Sequence, residues 1–229
     1  MYHSKNNNAS SIGLEFFNRD AQQLARELLG KVIRVKQFEH WLPVRIIETE
    51  AYYLEDKASH AYLGYTPHRK ALFMPPGTIY MYYARGGDSL NFSCQGTGNA
   101  VLIKAGFPMV DKEIDPEAIK LMQTNNPSRS GALRAIEKLC SGQTLLCKAL
   151  GLKVADWNGK KLTPGKFELI EDDYLPDQII QTTRLGINPN RDAHLLYRFV
   201  DAHYAKFCTK NPLRVRNWQN GNQYTIFAP

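Results

Sequence analysis

The chain has 229 residues, of which 43% are hydrophobic and 22% are charged, and this size suits one globular domain or two small ones. The formal net charge of +7 favours an anionic partner, although many soluble domains carry a modest positive charge without one. The four cysteines form no C-x-x-C pair and the six histidines are dispersed, so we expect no disulfide framework, metal site or cofactor. No apolar run approaches the roughly 18 residues of a membrane-spanning helix, so we expect no membrane partner.

The first predicted elements are a disordered tail and a helix. Residues 1–13 are polar and rich in Asn, and they lack the apolar core of a signal peptide. In "FFNRDAQQLARELLGK" the apolar residues recur with helical spacing, from a cap at Asn18 or Asp20 to a stop at Gly30. The sequence therefore predicts a tail over residues 1–13 and a single folded domain over residues 14–229.

Strands dominate the next part of the chain. Extended segments are predicted at residues 31–37 and 44–53, with a turn at residues 39–43 between them and a loop over residues 54–72. A β-hairpin follows, with strands at residues 79–83 and 90–94 around the turn Arg85-Gly86-Gly87-Asp88. One further strand is predicted at residues 100–105.

The second half of the chain begins with helices and returns to strands. Helical segments are predicted in "DPEAIKLMQ", "GALRAIEKLC" and "SGQTLLCKALG", and strands at residues 167–170 and 178–185. Residues 194–207 fit neither period. Because helices and strands occur in separate blocks, the sequence predicts the α+β class in a single domain.

Two glutamates follow an apolar strand in the stretch "VRIIETEAYYLEDKASH". A buried carboxylate is costly unless a partner satisfies it, and strands are usually depleted of Glu. Glu48, Glu50 and Tyr52 share one strand face unless a bulge intervenes. The pattern alone allows a general acid/base pair, one catalytic acid beside one salt-bridge partner, or a solvated strand end.

Aromatic and basic residues surround this stretch in the sequence. Seven of the twelve tyrosines fall within residues 52–83, which suits either gripping a planar base or packing a core. His60 is either a ligand-facing partner or a satisfied loop histidine. Arg85 in a glycine-rich turn can approach a phosphate backbone or occupy a plain turn. Lys104 ends an apolar strand, where it can offset a carboxylate, bind phosphate or reach solvent.

Six motifs in order carry a resemblance to a known family: "FFNRDAQQLARELLG", "RIIETEAY", "FMPPGTIYMY", "LNFSCQGTGNAVLIKA", "LCSGQTLLCKALG" and "TTRLGIN". Over residues 16–188 the chain resembles the alkyladenine (3-methyladenine, methylpurine) DNA glycosylases. The resemblance implies a mixed domain with a curved antiparallel sheet and surrounding helices. It also implies a protruding β-hairpin that enters the DNA minor groove, and a damaged nucleotide flipped into a pocket.

The resemblance also assigns roles to particular residues. It implies that Glu50 is the general base that activates water, and that Lys104 stands where the family often has an arginine near the water and the phosphate. The implied lining of the base pocket is Tyr52, His60, Tyr82, Asn91, Leu102 and Ile187. Among these, Tyr52 and Tyr82 are expected as aromatic walls, and Asn91 as the residue that disfavours the exocyclic amino group of guanine.

The hairpin tip departs from the family pattern. Family members can carry a large side chain at the tip, often an aromatic one, which fills the gap left by the flipped base. Here the tip reads Ala84-Arg85-Gly86-Gly87 and the hairpin is about one residue shorter than the family pattern. We expect Tyr83, Ala84 and Arg85 to contact DNA, with Arg85 or Tyr83 filling the gap.

These expectations combine into one function. The resemblance implies a monomeric, monofunctional glycosylase that acts on duplex DNA with alkylated or deaminated purines, because no motif for a lysine nucleophile is present. We expect a cytoplasmic, nucleoid-associated protein if the source is bacterial, with the nucleus as the alternative. The rivals are a non-enzymatic nucleic-acid-binding domain and a carbohydrate glycosidase that uses Glu48 and Glu50.

Overall fold

The protein is described by a computed structural model, in which residues 10–84, 86–109 and 115–229 are placed. Helix α1 (Ala21–Glu27) begins at Asp20, whose carboxylate accepts hydrogen bonds from the backbone N–H groups of Gln22 and Gln23. This is one of the two predicted caps. The chain turns away at Gly30, whose φ of 85° lies in the left-handed region that glycine adopts without strain.

An open antiparallel sheet forms the centre of the molecule, and helices pack on it, as the α+β prediction requires. Its strands within the described residues are β1 (Val32–Gln37), β2 (His40–Tyr52), β3 (Ile79–Ala84), β4 (Gly87–Ser93), β5 (Ala100–Pro108), β6 (Phe167–Ile170), β7 (Ile179–Thr182), β8 (Arg198–Asp201) and β9 (Tyr224–Phe227). The strand order is β3-β4-β5-β2-β8-β7-β9, and β1 joins the start of β2 to β6. The long strand β2 is therefore central, because its second half lies between β5 and β8.

Strand β2 begins earlier than predicted. The turn before it consists of Phe38 and Glu39, and Phe38 adopts a φ of 53°. Pro43 was expected in the turn, but it pairs with Arg34 of β1 and its carbonyl accepts a hydrogen bond from the Met109 N–H. Proline lacks only the backbone N–H donor and keeps its carbonyl acceptor, so it is tolerated at this position. The pairing of β2 with β5 begins one residue later, at Val44.

A β-bulge interrupts the pairing of β2 with β5. The register advances from Ile46↔Gly106 to Glu48↔Ala105 and then to Thr49↔Ile103, so Ile47 and Lys104 are each skipped. Bulges commonly redirect a side chain near a functional site. Lys104 is the skipped residue of β5, and the bulge therefore determines where its side chain goes.

The predicted β-hairpin is formed by β3 and β4, which pair from Ile79↔Phe92 to Ala84↔Gly87. The loop is thus residues 85 and 86, and Arg85 lies outside the described residues. One side of the hairpin rests on helix α3 (Gln143–Ala149), because a Cβ added at Gly87 would lie 2.7 Å from the Thr144 Cβ. Strand β3 also packs near helix α4 (Val154–Trp157), and its Met81 N–H donates a 3.0 Å hydrogen bond to the Asn158 Oδ1.

The helical prediction for "GALRAIEKLC" was wrong. After α2 (Pro116–Asn125) this segment consists of turns with a single 3-10 turn at Ile136–Lys138. Side chains replace the helical backbone pattern there: Arg134 donates to the carbonyl oxygens of Asn126 and Pro127, and Gln123 donates to the Arg134 carbonyl. The local apolar spacing was therefore overridden by contacts with the end of α2.

Both ends of the described chain join the sheet. Ile12 N–H donates to the Leu169 carbonyl, and Glu171 N–H donates to the Ser10 carbonyl. Residues 10–12, which the sequence assigned to the tail, therefore pair with the end of β6. Residues 1–9 of the predicted tail lie outside the described part. In the placed ranges, no helix combines the length and the apolar character needed to cross a membrane.

Candidate active site

A cavity of about 350 Å³ opens between the hairpin, the end of β2, β5 and the segment that follows β7. This volume lies within the range of sites that bind small molecules. The predicted residues that line it are Tyr52, His60, Tyr82, Ala84, Asn91, Leu102, Lys104 and Ile187. The fold therefore brings together residues that the sequence separates by more than a hundred positions.

Glu50 lies directly behind the wall of this cavity and is 0% exposed. Its Oε2 accepts a hydrogen bond of 2.7 Å from the Tyr52 hydroxyl, and its Oε1 accepts one of 3.2 Å from the Leu185 N–H. The Lys104 ammonium lies 3.3 Å from the same Oε1. Each of these three partners lines the cavity, so the carboxylate is one contact away from it.

The charge state of Glu50 follows from these contacts. Burial alone raises the pKa of its carboxyl, but Lys104, the Tyr52 hydroxyl, Arg198 and the Leu185 N–H together hold that pKa below its ordinary value. The hydroxyl of Tyr52 stays a donor, because burial and the neighbouring Glu50 raise the pKa of Tyr52 well above its usual range. The site therefore holds one buried carboxylate whose contacts favour the ionised form.

Lys104 reaches Glu50 because of the bulge in β5. Its side chain is only 9% exposed, and it lines the cavity beside Leu102. Of the three roles open from the sequence, the geometry supports the first, because the lysine offsets a carboxylate. A buried ion pair of this kind positions a cation and an anion together at the edge of the cavity.

Glu48 has a different environment from Glu50. It is 0% exposed, and its Oε1 accepts a 2.6 Å bond from Arg198 Nε. The backbone N–H of Thr209 donates to its other oxygen at 3.1 Å. Both acids are buried, so the alternative of a solvated strand end is wrong for both of them. Glu48 forms a salt bridge with Arg198, which was another of the alternatives open from the sequence.

Aromatic rings enclose one side of the cavity. The rings of Tyr80 and Tyr82 lie 5.7 Å apart at 34°, and the His60 ring lies 4.5 Å from Tyr82 in an edge arrangement. His60 Nδ1 is 2.8 Å from the Tyr80 hydroxyl. His60 reaches solvent at the rim, yet partial burial of its ring and the charges of Arg69 and Arg191 lower its pKa.

The loop that carries His60 is fixed to the segment after β7. Arg184 forms a buried, bidentate ion pair with Asp56, and its guanidinium lies 4.6 Å from the Tyr52 ring centre. Asp192 Oδ2 accepts a 2.9 Å bond from the Lys57 N–H, and Arg191 Nε donates to the Lys57 carbonyl. These contacts join two segments of the chain that both line the rim of the cavity.

The remaining predicted residues divide between two surfaces. Asn91 Nδ2 donates to the Tyr80 carbonyl at 3.1 Å, which fixes its amide within the cavity wall. Tyr83 does not line this cavity. It lines a second depression, which shares His60, Tyr80 and Tyr82 with the cavity, and it is 69% exposed. Arg85 follows Tyr83 by two positions and lies outside the described residues.

Sequence reasoning missed several residues of this site. Leu185, Arg191 and Gln143 line the cavity, and Gln143 donates to the hydroxyls of Tyr82 and Ser89. They lie on segments remote in sequence, and no local pattern distinguished them. Tyr80 could have been found from the sequence, because it lies two positions before Tyr82 and shares its strand face. No role had been assigned to it.

No cluster of three or more His, Cys, Asp or Glu side chains that could hold a metal ion occurs among the residues that the structure places. The polar side chains of the cavity wall include Lys104, His60 and the tyrosines, and the Glu50 carboxylate lies directly behind them. A buried carboxylate beside an aromatic cavity can accept a proton from water next to a bound planar group.

Comparison with known proteins identifies the family. A family model for methylpurine-DNA glycosylase (MPG) matches residues 15–205. A protein of Pseudomonas savastanoi pv. phaseolicola, named "Putative 3-methyladenine DNA glycosylase", is 63% identical over 210 residues, which cover 91% of this chain and 93% of that protein. Proteins of the same name from Pseudomonas aeruginosa and Koribacter versatilis are 60% and 34% identical, over 93% and 80% of this chain and 89% and 86% of their own lengths. The chain therefore belongs to the methylpurine-DNA glycosylase family.

Proposed function

We propose that this protein removes alkylated purines from duplex DNA by hydrolysing their N-glycosidic bond, with Glu50 as the base that activates water. The observation that carries the proposal is the fully buried Glu50, which is held behind an aromatic cavity by Lys104 and Tyr52. The names of the relatives and the family model support the substrate class. The details of flipping and of water activation are our inference from the site.

The cavity suits a flipped, cationic base. An enzyme that acts on a base inside a duplex must extrude it, which costs a few kcal/mol. Tyrosine faces attract a cationic purine by about 0.5–2 kcal/mol beyond stacking. A lowered pKa keeps His60 largely neutral near pH 7, so its ring does not repel such a base. Tyr82 and His60 would contact the base, and Asn91 would disfavour the exocyclic amino group of guanine.

The reaction needs one base and no separate acid for a cationic purine. Water attacks the anomeric carbon of the sugar, and its proton passes to the Glu50 carboxylate. The bond between that carbon and the purine nitrogen breaks, and the bonding electrons neutralise the departing base. The carboxylate also stabilises the oxocarbenium-like transition state by its charge. The products are a free purine and an abasic site.

Lys104 supports a monofunctional enzyme. Its ammonium is engaged with the Glu50 carboxylate at 3.3 Å, so it is not presented as a free amine nucleophile. We therefore expect no Schiff base with the sugar and no strand cleavage. We also infer that the protein acts as a monomer, and in the bacterial cytoplasm on nucleoid DNA.

The two rival functions fit the site less well. A carbohydrate glycosidase needs two acids that flank the bond, but both oxygens of Glu48 are bonded to Arg198 and Thr209, away from solvent. A purely binding domain would have no use for Glu50, since a carboxylate weakens affinity for an anion.

The test is an assay of released base. The protein is incubated with methylated duplex DNA, and free purines and strand breaks are measured separately. We expect free 3-methyladenine, with abasic sites that break only after alkali treatment. Absence of any released purine contradicts the proposed reaction, and breaks without alkali contradict the monofunctional mechanism.

A further inference from the structure

Arg198 is a fully buried cation that lies opposite Glu50 in the sheet. Strands β2 and β8 pair in the register Glu48↔Val200, Thr49↔Phe199, Glu50↔Arg198, without a shift. Directly opposed residues of an antiparallel pair project from the same face, and so do residues two positions apart. Glu48, Glu50 and Arg198 therefore share one face of the sheet beneath the cavity.

The hydrogen bonds of Arg198 go elsewhere. Its Nε donates to Glu48 at 2.6 Å and one of its terminal nitrogens donates to the Lys210 carbonyl at 2.7 Å. Its other terminal nitrogen, Nη1, is buried and has no hydrogen-bond partner within the placed ranges. A buried donor without a partner is a cost that native proteins usually avoid unless the group has another use.

Glu48 fixes this arginine in place. Both carboxylate oxygens of Glu48 are satisfied by Arg198 Nε and by Thr209, and Glu48 is as inaccessible as Arg198. Neither residue lines the cavity. Neither can touch a substrate, so any effect on the reaction passes through Glu50.

We propose that Arg198, anchored by Glu48, is a positioning residue whose charge keeps the buried Glu50 carboxylate ionised and ready to accept a proton from water. The inference rests on the proposed function of Glu50 and assigns the role of Glu48, which the sequence left open. Coulomb interactions are poorly screened in a buried site, so a cation acts on Glu50 without a hydrogen bond.

Other charged and titratable groups also act on Glu50, and the test must separate them from Arg198. They are Lys104 on β5, Arg184 after β7, Tyr52 on β2 and Tyr82 on β3. Lys104 has a larger effect than Arg198 in lowering the pKa of Glu50. The variants used in the test leave all four of these groups unchanged.

The central variant carries Glu48→Gln and Arg198→Met together. Removing both partners leaves no unpaired buried charge, and such replacements are often tolerated. The measurement is the pH dependence of single-turnover base release from methylated duplex DNA. We expect the acidic limb of the profile to move up by about one pH unit, with an unchanged plateau at high pH.

Two matched variants control for structure and for charge. Arg45→Met with Asp172→Asn removes another ion pair of β2, and its acidic limb is expected to stay at the native position. Arg198→Lys keeps the charge, and its limb is expected within about 0.3 pH units of native. A merely structural role for the pair would lower the rate equally at every pH.

The result that overturns the inference is an acidic limb at the native position in an active double variant. If the double variant does not fold, Glu48→Gln alone decides. It keeps Arg198 charged and removes the counter-charge, so we expect its limb to move down, and an upward movement refutes the inference. Failure of the proposed function appears separately, as a native protein that releases no base.

Discussion

Glu50 combines complete burial with a negative charge, and its neighbours rather than its own strand explain how. Tyr52 on the same strand, Lys104 on β5 and the Leu185 backbone each contact the carboxylate. The first of these was visible in the sequence, because residues two apart share a strand face. The contact with Lys104 depends on a bulge that no local pattern predicts.

A stability measurement tests the charge on Glu50. Its pKa is lower in the folded protein than in the unfolded chain, where a glutamate titrates near pH ~4.3. Its charge therefore stabilises the fold above that pH, and the contribution is lost as the pH falls through the lower folded value. We expect the free energy of unfolding to fall more steeply between about pH 5 and pH 3 in the native protein than in Glu50→Gln.

The control for this measurement is Glu39→Gln, whose side chain is 90% exposed in the turn between β1 and β2. Its dependence on pH is expected to parallel that of the native protein, measured by urea denaturation. Parallel curves for Glu50→Gln and the native protein would show that the pKa of Glu50 is not lowered on folding, which would contradict the contacts described for its carboxylate.

At the scale of elements, the cavity depends on two loops that are far apart in the sequence and are joined by an ion pair. Asp56 follows β2 and Arg184 follows β7, and their pairing spans 128 positions. Both side chains are essentially inaccessible. The sequence predicted these segments as a loop and a strand end, but it carried no signal of the ion pair between them, because such a pairing leaves no local pattern.

Breaking this ion pair should loosen the cavity rim. In Asp56→Ala the buried guanidinium of Arg184 loses its counter-charge, which costs about 3–5 kcal/mol of folding free energy. Lys120→Ala removes an exposed pair and is expected to cost less than about 1 kcal/mol. Chemical denaturation measures both. A loss below about 1 kcal/mol in Asp56→Ala would contradict the rim as described.

Tyr83 is exposed beside the tip of the hairpin, where we expect it to contact DNA. We expect Tyr83→Ala to leave stability within about 0.5 kcal/mol of native. Loss of one stacking contact with DNA, worth about 1–3 kcal/mol, should lower the rate of base release at low enzyme concentration roughly 5- to 150-fold. Single-turnover kinetics give this rate.

The control is Phe38→Ala, which removes another exposed aromatic side chain from a β-turn, away from both depressions. We expect base release by this variant at the native rate. Equal rates for Tyr83→Ala and the native protein would remove Tyr83 from the DNA interface and leave Arg85 as the residue to examine.

For the whole molecule, the sequence predicted the class of fold and many of the residues that line the cavity, and it did so for identifiable reasons. The spacing in α1 and the glycine-rich turn of the hairpin are local signals. His60, Asn91 and Ile187 were placed by resemblance, and all three line the cavity. Strands β8 and β9 were not predicted, because their short segments have no clear period and are defined by pairing with β7.

The net charge of +7 makes a prediction for the molecule as a whole. Binding to undamaged duplex DNA should weaken steeply with salt, because lysine and arginine side chains displace counterions from the phosphates. If the protein contacts about four phosphates, we expect a slope of about −3.6 when the logarithm of the binding constant is plotted against the logarithm of the salt concentration. Fluorescence anisotropy at several salt concentrations measures it, and a flat line contradicts an electrostatic DNA interface.

Single-turnover release of 3-methyladenine by Glu50→Gln is the decisive experiment for the proposed role of Glu50. We expect a rate at least about 100-fold below native, with unchanged affinity for DNA, because the variant loses the proposed general base and keeps its shape. Glu168→Gln, which removes a different buried, ion-paired carboxylate, should release base at the native rate. A Glu50→Gln rate within about threefold of native would contradict the assignment of Glu50 as the base.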